Sequence, residues 1–358
     1  MWAMIVKEFR QLRRDRRTLA MLIVLPILLL VVFGYAASFD VRSIPVTVVG
    51  PQAQRVAAGL QPPFTVRTLD PAGDRADAVT ALRDGRAPVA FVTTDTGVTV
   101  LVDGAELFTA KAVGQALARA GGQPAGPAAP AQTEVLFNPS LATSAVMVPG
   151  LAGMILLFIG TVITSLGVVR ERQAGTLEQL AVMPLRPRDV FLGKIAPYFL
   201  VAAVDLIIVV TVGVTLFGVP FHGSGLVLAL GALLFLFVTL GIGVLISSVS
   251  QNQGQAIQLA ILTLLPQIML SGLIFPLSSM AAGVRWIGYL LPLTYFTRIS
   301  RGVMLRGAPI GALWEPFLYL ALLGVVVVAA ATLRFRRQLA PAPAPAQPAP
   351  ASTPAVPR

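Results

Sequence analysis

The sequence predicts an α-helical polytopic membrane protein with six transmembrane helices in a 1+5 arrangement and a small extracytoplasmic α/β domain between the first and second. Three observations predict this fold class. Hydrophobic residues make up 56% of the 358 residues, and charged residues only 12%. The apolar residues occur in long runs that can cross a hydrocarbon layer of about 30 Å. Residues 39–143 instead show the short strand and helix patterns of a water-exposed domain.

The charge distribution favours a membrane protein over a nucleic-acid-binding protein. The formal net charge is +11, but residues 38–143 carry eight basic and nine acidic residues. The basic surplus therefore lies beside the apolar runs, where Lys and Arg set the orientation of membrane helices. Cysteine is absent and His222 is the only histidine, which excludes a disulfide framework and a multi-histidine metal site. We predict no catalytic residue, no metal site and no cofactor bound by this chain.

Residues 1–17 are predicted to form an amphipathic helix on the cytoplasmic membrane surface. Apolar residues recur at spacings of three and four from Trp2 to Leu12, and basic residues lie on roughly the opposite face. The apolar run Leu19–Ala37 follows, and we expect a transmembrane helix over 18–38. A cleaved signal peptide is the alternative. The run is longer than a signal h-region of roughly 7–15 residues and lacks a good cleavage site, which favours an uncleaved helix.

Residues 39–143 are predicted to form the extracytoplasmic α/β domain. Short β-branched runs between Gly- and Pro-rich breaks predict four strands, at Ile44–Val49, Phe64–Leu69, Val89–Thr93 and Val98–Val102. Helices are predicted at Asp74–Arg86 and Glu106–Ala120, because both begin with acidic residues that suit a helix N-terminus. Gly121–Gln132 is rich in Gly, Ala and Pro and is predicted to be a flexible break.

Residues 144–333 are predicted to form a five-helix transmembrane domain. Its apolar runs are about Ala145–Val169, Ile195–Phe217, Leu226–Val249, Ala256–Phe275 and Leu313–Leu333. The segment 277–307 is interrupted by Pro, Arg and Trp, so we expect an outer interfacial or re-entrant segment that adds no crossing. Gly243 and Ser247 are spaced to allow close contact between helices. The Pro/Ala-rich residues 334–358 are expected to form a disordered cytoplasmic tail.

Basic residues beside the runs favour cytoplasmic N- and C-termini. In that orientation the cytoplasmic segments 1–18, 170–194 and 334–358 carry six, five and four basic residues, and the outer loop 218–225 carries none. The outer segment after the fifth run carries four, and the long α/β domain weighs little in this rule. An even number of crossings is consistent with both ends on the same side.

The segment 170–194 is the most informative part of the sequence. Gly175 precedes a short stretch with polar and apolar faces, Thr176–Leu180, and Pro184 ends it. A short structured element between two transmembrane helices is well placed to transmit motion from a cytoplasmic partner. A plain surface loop is the alternative interpretation.

Asp205 is the one ionisable residue deep in a predicted span. It lies eleven residues after Lys194, or about 16 Å along a helix. Inserting an aspartate at this depth costs roughly 2.5–3.5 kcal/mol, so the side chain is expected to face the bundle interior or a water-filled cavity. A place on the translocation path, with substrate or proton contact, is one hypothesis. A neutral or hydrogen-bonded contact between helices is the other.

Aromatic and basic residues lie together in the outer segment 277–307. Tyr295, Phe296, Arg298 and Arg301 are candidates for an outer gate or exit vestibule. The alternative is interfacial anchoring, which aromatic and basic side chains commonly provide in membrane proteins.

Three blocks of sequence carry a resemblance to a known family. The first is Arg170–Arg172, Gly175–Leu180 and Pro184, the second is Ser271–Pro276 with Leu291–Phe296 and Arg301-Gly302, and the third is Phe137–Ser140 with Val148–Gly150. Together they resemble permease subunits of type-2 ABC transporters, in the bacterial drug-exporter-like subgroup with a large extracellular domain after the first helix. The first block matches the cytoplasmic loop of that family, which typically reads E-R-E-x-G-T-L-E-x-L-x-x-x-P. The likeness covers the chain apart from its tail.

The resemblance implies the permease subunit of an ATP-driven exporter that moves an amphipathic or drug-like substrate out of the cytoplasm or the inner leaflet. It implies a bacterial inner-membrane location, a second permease chain that is identical or related, and ABC ATPase subunits that bind ATP and Mg. A periplasmic adaptor is a further expected partner. The residues that the resemblance assigns to ATPase coupling are Arg170, Glu171, Gly175, Thr176, Leu177, Glu178, Gln179, Leu180, Pro184 and Leu185.

The sequence agrees that ATP is hydrolysed on another chain. A P-loop needs the pattern G-x-x-x-x-G-K-[ST], whose backbone amides and lysine hold phosphate. The only Gly-Lys pair is Gly193-Lys194, which lacks the first glycine and is followed by Ile195. We therefore expect no ATPase activity from this chain alone.

Three other classes remain as alternatives. An ion-coupled secondary carrier usually shows internal repeats with broken helices at corresponding positions, and no such repeat is visible. An intramembrane enzyme needs a nucleophile with a base or a metal cluster, which this composition does not supply. A membrane receptor or scaffold would act through the extracytoplasmic domain and would not require the structured segment 170–194.

Overall fold

The computed structural model describes residues 43–95, 97–119, 131–175 and 187–339, together with single positions between residues 2 and 34. An α/β domain comes first and a helical domain follows. The predicted surface helix 1–17 and first span 18–38 lie mainly outside the described residues. The last helix continues beyond its apolar part to Leu339, so the first residues of the predicted tail 334–358 are helical.

The β-branched runs form a mixed five-stranded sheet. Its strands are β1 (Ile44–Val49), β2 (Phe64–Asp70), β3 (Val89–Thr93), β4 (Val98–Asp103) and β5 (Ala131–Leu136). They are ordered β2-β1-β3-β4-β5, with β3 and β4 antiparallel and the other neighbours parallel. All five residues of β3 are buried, as expected for a central strand that is covered on both faces.

Three helices cover the two faces of this sheet. They are α1 (Ala53–Gly59), α2 (Arg75–Arg83) and α3 (Leu107–Arg119). α1 and α3 pack around Phe91 on one face, and α2 packs against Leu101 on the other. A capping box starts α2, in which Asp74 accepts from the amides of Ala76 and Asp77 while Asp77 accepts from the amide of Asp74.

The structure confirms the α/β domain and its four predicted strands but adds two elements. Sequence patterns predict neither α1 nor β5. The predicted break Gly121–Gln132 is wrong at its end, because Ala131 and Gln132 begin β5. β5 is an edge strand whose residues 132–134 are exposed, so it carries no apolar run to mark it.

Within the described parts of the chain, the helical domain contains a continuous first helix with three named parts and six further helices. The parts are α4 (Thr143–Phe158), a π-helical turn (Ile159–Ile163) and α5 (Thr164–Gln173). The later helices are α6 (Pro187–Thr215), α7 (Gly225–Val249), α8 (Gln253–Leu270), α9 (Ala282–Gly288), α10 (Pro292–Met304) and α11 (Trp314–Leu339). Short 3₁₀ turns cover Leu277–Ser279 and Ile310–Leu313.

Among the described residues, four helical segments are long and apolar enough to cross a membrane. They are Thr143–Gln173, Ala196–Thr215, Gly225–Val249 and Ile310–Arg334, which match four of the six predicted runs. α8 covers most of another run but ends at Leu270, and the chain then turns at Gly272 with φ +85°. The predicted extension of that run to Phe275 is therefore wrong. The total of six crossings stays a prediction.

The second half of the predicted outer segment 277–307 folds into the interior of the helical domain. α10 buries every residue except Arg298 and contacts α4, α7 and α11. Phe296 is fully buried and stacks on Phe235 of α7, with ring centroids 4.8 Å apart. α10 is therefore a core element and not a helix that lies on the surface of the domain.

Glycines let α7 approach the π-helical turn closely. A Cβ on Gly243 would overlap the carbonyl oxygen of Gly160 and would lie 3.0 Å from Cβ of Thr164. The spacing of Gly243 and Ser247 predicts close helix contact, and the structure confirms it for Gly243. Small residues serve this purpose in membrane helices, because burial of apolar surface drives little association in lipid.

We expect Gly243→Ala to destabilise the folded protein by roughly 1–3 kcal/mol, because the new methyl group forces the two backbones apart. The measurement is thermal unfolding of the purified protein in detergent. Gly324→Ala is the control, since a Cβ there meets its nearest atom at an ordinary 3.6 Å. If both variants unfold at the same temperature, the close contact does not limit stability.

Candidate functional site

The arginines that make hydrogen bonds between segments of the described helical domain lie at its two ends. α4, the π-helical turn and α5 form one helical segment of 31 residues, which is about 46 Å long at 1.5 Å per residue. The segment starts beside the α/β domain and ends at Gln173. We call the far end, around Arg170, Arg172, Gln173, Ser250 and Gln253, the loop base, because the predicted coupling loop leaves the helix there.

The loop base ties the end of α5 to the connection between α7 and α8. Arg172 donates through Nη2 to the carbonyl oxygens of Ser247 and Ser250, the latter at 2.6 Å. Arg170 donates to Gln253 at 3.2 Å, and Gln253 donates in turn to Gln173 at 3.0 Å. Ser250 and its neighbours end α7, where carbonyl groups lack helical partners. The arginine therefore pairs groups that the helix itself leaves open.

The predicted coupling residues are only partly described. Arg170 is exposed, Glu171 is half-buried, and Gly175 follows the C-cap of α5 with φ +74°, a backbone conformation that glycine adopts without strain. Thr176, Leu177, Glu178, Gln179, Leu180, Pro184 and Leu185 lie outside the described residues. The sequence argument did not single out Arg172, although the arginine pattern of the loop contains it.

Asp205 lies at the middle of the second candidate span, Ala196–Thr215. Its side chain is half-buried, and α6 contacts α4 and α7. No described residue donates a hydrogen bond to it. This position agrees with the predicted run, while the depth of Asp205 in a bilayer and the choice between a transport role and a helix contact stay predictions.

At the opposite end of the domain, Arg301 joins three segments. Its Nε donates to Val146 O at 3.3 Å, Nη1 to Gly272 O at 3.4 Å and Nη2 to Leu273 O at 3.1 Å. These bonds connect α10 with α4 and with the turn after α8. The side chain is thus a structural tie within one chain, and a gating role for it stays a prediction.

The other gate candidates differ in how accessible their side chains are to a ligand. Tyr295 is buried, stacks on Tyr319 with centroids 5.2 Å apart and donates to Tyr289 O at 2.5 Å. Phe296 belongs to the core. Arg298 is half-buried, and its guanidinium lies 5.8 Å from the centroid of the Tyr289 ring. No described residue accepts a hydrogen bond from Arg298, which makes it the candidate best able to bind another molecule.

A buried ion pair joins the α/β domain to the helical domain. Nε of Arg306 lies 3.1 Å from Oδ2 of Asp103 at the end of β4, and Nη2 lies 3.4 Å from Oε1 of Glu106. Asp103 is 1% exposed. Its burial raises its pKa to about 6, although the charges of Arg306 and Arg301 offset part of this effect. No local pattern signals this pair, because its two members are 203 positions apart.

These features define a membrane protein whose helical domain contacts a folded α/β domain at one end and has the hydrogen-bonded loop base at the other. Residues 16–333 match the family described as ABC-2 family transporter protein. The chain belongs to this family and is the permease of an ABC transporter, which confirms the resemblance drawn from the three sequence blocks.

Relatives in Escherichia coli strain K12 support the assignment. The chain is 31% identical over 366 residues to the protein named "Probable multidrug ABC transporter permease YbhS", covering 94% of this chain and 97% of that protein. It is 32% identical over 203 residues to "Probable multidrug ABC transporter permease YbhR", covering 57% and 55%. It is 35% identical over 217 residues to "Inner membrane transport permease YhhJ", covering 58% and 56%.

The raised pKa of Asp103 predicts a specific pH dependence of stability. An acid whose pKa rises on folding, here from 3.8 to about 6, holds its proton more tightly in the folded state. Its contribution to stability therefore falls as the pH rises from about 4 to about 6, by at most about 3 kcal/mol. We expect Asp103→Asn to lose this component, so that acidification from pH 7.5 to pH 5 favours the unmodified protein over the variant.

The measurement is thermal unfolding in detergent across that pH range. Asp95→Asn removes an exposed carboxyl group of the same domain and is expected to keep the pH dependence of the unmodified protein. Identical pH responses of the unmodified protein and Asp103→Asn would contradict the prediction.

Proposed function

We propose that this chain forms half of the membrane core of an ATP-driven exporter. A second permease chain, identical or related, completes the core, and separate ABC ATPase subunits dock at the segment 176–185 on the cytoplasmic side. The transported substrate is amphipathic or drug-like and leaves the cytoplasm or the inner leaflet of a bacterial inner membrane. ATP and Mg bind to the ATPase subunits.

The loop base is the observation that carries this proposal. A docking loop transmits force only if the helix behind it is held to the rest of the domain. Arg172 holds α5 to the last turn of α7 through two carbonyl groups, and the Arg170–Gln253–Gln173 chain adds side-chain bonds at the same place. A plain surface loop needs no such attachment. The names of the Escherichia coli relatives, which include multidrug and transport permeases, support the substrate class.

The test is reconstitution in proteoliposomes with a candidate P-loop ABC ATPase subunit from the same genome. ATP hydrolysis and uptake of a fluorescent cationic dye are measured together. We expect both dye uptake and dye-stimulated hydrolysis to require this chain, and both to be lost when 176–180 is replaced by a Gly/Ser sequence of equal length. Transport without the ATPase, driven by an ion gradient, would favour the secondary-carrier alternative.

Arg172→Gln is expected to lower ATP-dependent transport at least fivefold while the ATPase stays bound. Each charged hydrogen bond that the variant loses contributes roughly 1.5–3 kcal/mol, so the end of α5 becomes free to move without displacing α7. The control is Arg334→Gln, which removes an exposed arginine near the end of α11 on the same predicted side. Pull-down of the ATPase separates loss of docking from loss of coupling. Full transport by Arg172→Gln would remove the loop base from the mechanism.

Asp205 is proposed to face the translocation path and to attract cationic substrates. Asp205→Asn is expected to lower the uptake of a cationic dye about fivefold and to leave an uncharged substrate unaffected, because one carboxylate contributes roughly 1 kcal/mol in a partly hydrated site. Asp205→Glu keeps the charge and is the control. If Asp205→Asn retains full export at every pH tested, a charge-dependent role is excluded.

A further inference from the structure

Two neighbouring cavities lie on the helical domain, and the first of them reaches Glu106 of the α/β domain. The first, which we call the arginine pocket, has a volume of about 260 Å³ and is lined by Arg285, Arg298, Arg301, Arg306 and Glu106. The second, which we call the apolar groove, has a volume of about 470 Å³ and runs along α11. Tyr289 and Arg298 line both cavities, so the two share a wall.

The arginine pocket carries more positive charge than its carboxylates balance. Glu106 faces the four arginines, and Asp103 lies directly behind Arg306. Arg301 meets neutral carbonyl groups, and so does Arg285, whose Nη2 donates to Ser278 O and Met280 O at 3.1 and 3.0 Å. Both carboxylates pair with Arg306, so among the described residues the other three arginines have no ion pair, and the four arginines exceed the two carboxylates by two charges.

Two of these arginines retain donors for a ligand. Arg285 donates to described acceptors only through Nη2, which leaves Nη1 for a ligand, and its buried Nε has no described acceptor. Arg298 contacts the face of the Tyr289 ring but no described hydrogen-bond acceptor. A buried donor without a partner is costly, and guanidinium groups bind phosphate through several parallel N–H donors. The pocket thus matches a phosphate-type anion in charge and in donor chemistry.

The apolar groove points to the rest of the ligand. Its lining includes Leu290, Leu322, Leu323 and Val326, with Glu315 at the α11 start and the rings of Tyr295 and Tyr319. Leu322 is 53% exposed and Val326 64%. Both lie within the segment Ile310–Arg334, which can cross a membrane, so these side chains face acyl chains in a bilayer.

We propose that the two cavities together bind one anionic phospholipid. Its phosphate lies in the arginine pocket, beside Arg285 and Arg298, and one acyl chain follows the apolar groove along α11. Even when Glu106, Glu315 and Asp103 are all counted, the four arginines leave one positive charge in excess, which disfavours a cationic or uncharged ligand. A free anion would fill the pocket but would leave the groove unused.

The position gives this lipid a structural consequence. Arg301 and Arg306 also line the pocket, and these side chains tie α10 to α4 and to the α/β domain. A bound phosphate therefore strengthens the junction that positions the α/β domain. Zwitterionic lipids bring a cationic amine as well as a phosphate, so they should bind more weakly.

The test uses the full chain in detergent with added lipid. Native mass spectrometry counts retained lipids, and thermal unfolding measures affinity, with phosphatidylglycerol, phosphatidylcholine and inorganic phosphate compared at matched concentrations. We expect one tightly held phosphatidylglycerol per chain and stabilisation by that lipid only. Equal effects of the two lipids would overturn the proposal, and so would equal protection by inorganic phosphate, which would indicate a free-anion site.

Variants separate the two parts of the site. Arg298→Gln should weaken phosphatidylglycerol binding about fivefold, the equivalent of about 1 kcal/mol for one cation near a lipid phosphate. Arg298→Lys should restore most of the binding, and Arg55→Gln, an exposed arginine of the α/β domain, should change nothing. Val326→Trp should block the groove and weaken lipid binding while the chain keeps its oligomeric state.

Three results obtained with these variants would contradict the proposal. Arg298→Gln and Arg55→Gln could behave alike, which would remove the arginine pocket from lipid binding. Val326→Trp could leave lipid binding intact, which would remove the groove. Val326→Trp could instead break an oligomer without affecting lipid, which would identify the groove as the contact surface for a second copy. Size-exclusion chromatography verifies that each variant is folded before lipid is added.

Discussion

Arginine side chains that donate to backbone carbonyl groups hold the helical domain together at both ends. A helix leaves its last carbonyl groups without partners, and away from water each unpaired group costs free energy. Arg301 supplies donors to α4 and to the turn after α8, and Arg172 supplies them to the end of α7. Because α4, the π-helical turn and α5 are continuous, both arginines act on the same long helix.

Two independent polar connections fix the α/β domain to the helical domain, and the first of them lies at the start of this long helix. Asn138 is buried between β5 and α4, where its Nδ2 donates to Gly104 O and Ala142 O and its Oδ1 accepts from the amide of Ala142. The second connection is the ion pair of Arg306 with Asp103. A buried pair of this kind is costly to break, because each partner would be left charged without compensation. A displacement of the helix therefore reaches the α/β domain directly.

Local sequence patterns predicted the elements that are defined by runs of neighbouring residues. β3 lies at the predicted Val89–Thr93, since five consecutive buried residues leave an unbroken β-branched and aromatic run. β5 escaped prediction because an edge strand with exposed polar residues has no such run. The family motif predicts a coupling loop at 170–194, but the hydrogen bonds of Arg172 go to Ser247 and Ser250, which are distant in sequence.

Arg301 and Phe296 also show what local sequence patterns cannot predict, because their burial depends on contacts with distant residues. Their aromatic and basic neighbours suggested an outer gate or exit vestibule, which stays a prediction, and contacts with Val146, Gly272, Leu273 and Phe235 bury both side chains. Such contacts join residues that are separated by many positions in the chain. No pattern within a window of ten or twenty residues contains them, so the burial of a charged side chain could be read only from the folded structure.

The hydrogen bonds of these arginines also determine which helix of the chain can move at the lowest free-energy cost. α4, α7, α10 and α11 share the main core of the helical domain, and the arginines fasten its two ends. α6 differs, because most of its side chains from Ala196 to Thr215 are exposed and no hydrogen bond joins the described ones to another helix. A helix with few internal contacts moves at low free-energy cost. Asp205 lies at the centre of that helix, so the only carboxylate in the middle of a candidate span belongs to the described membrane helix that is least firmly attached.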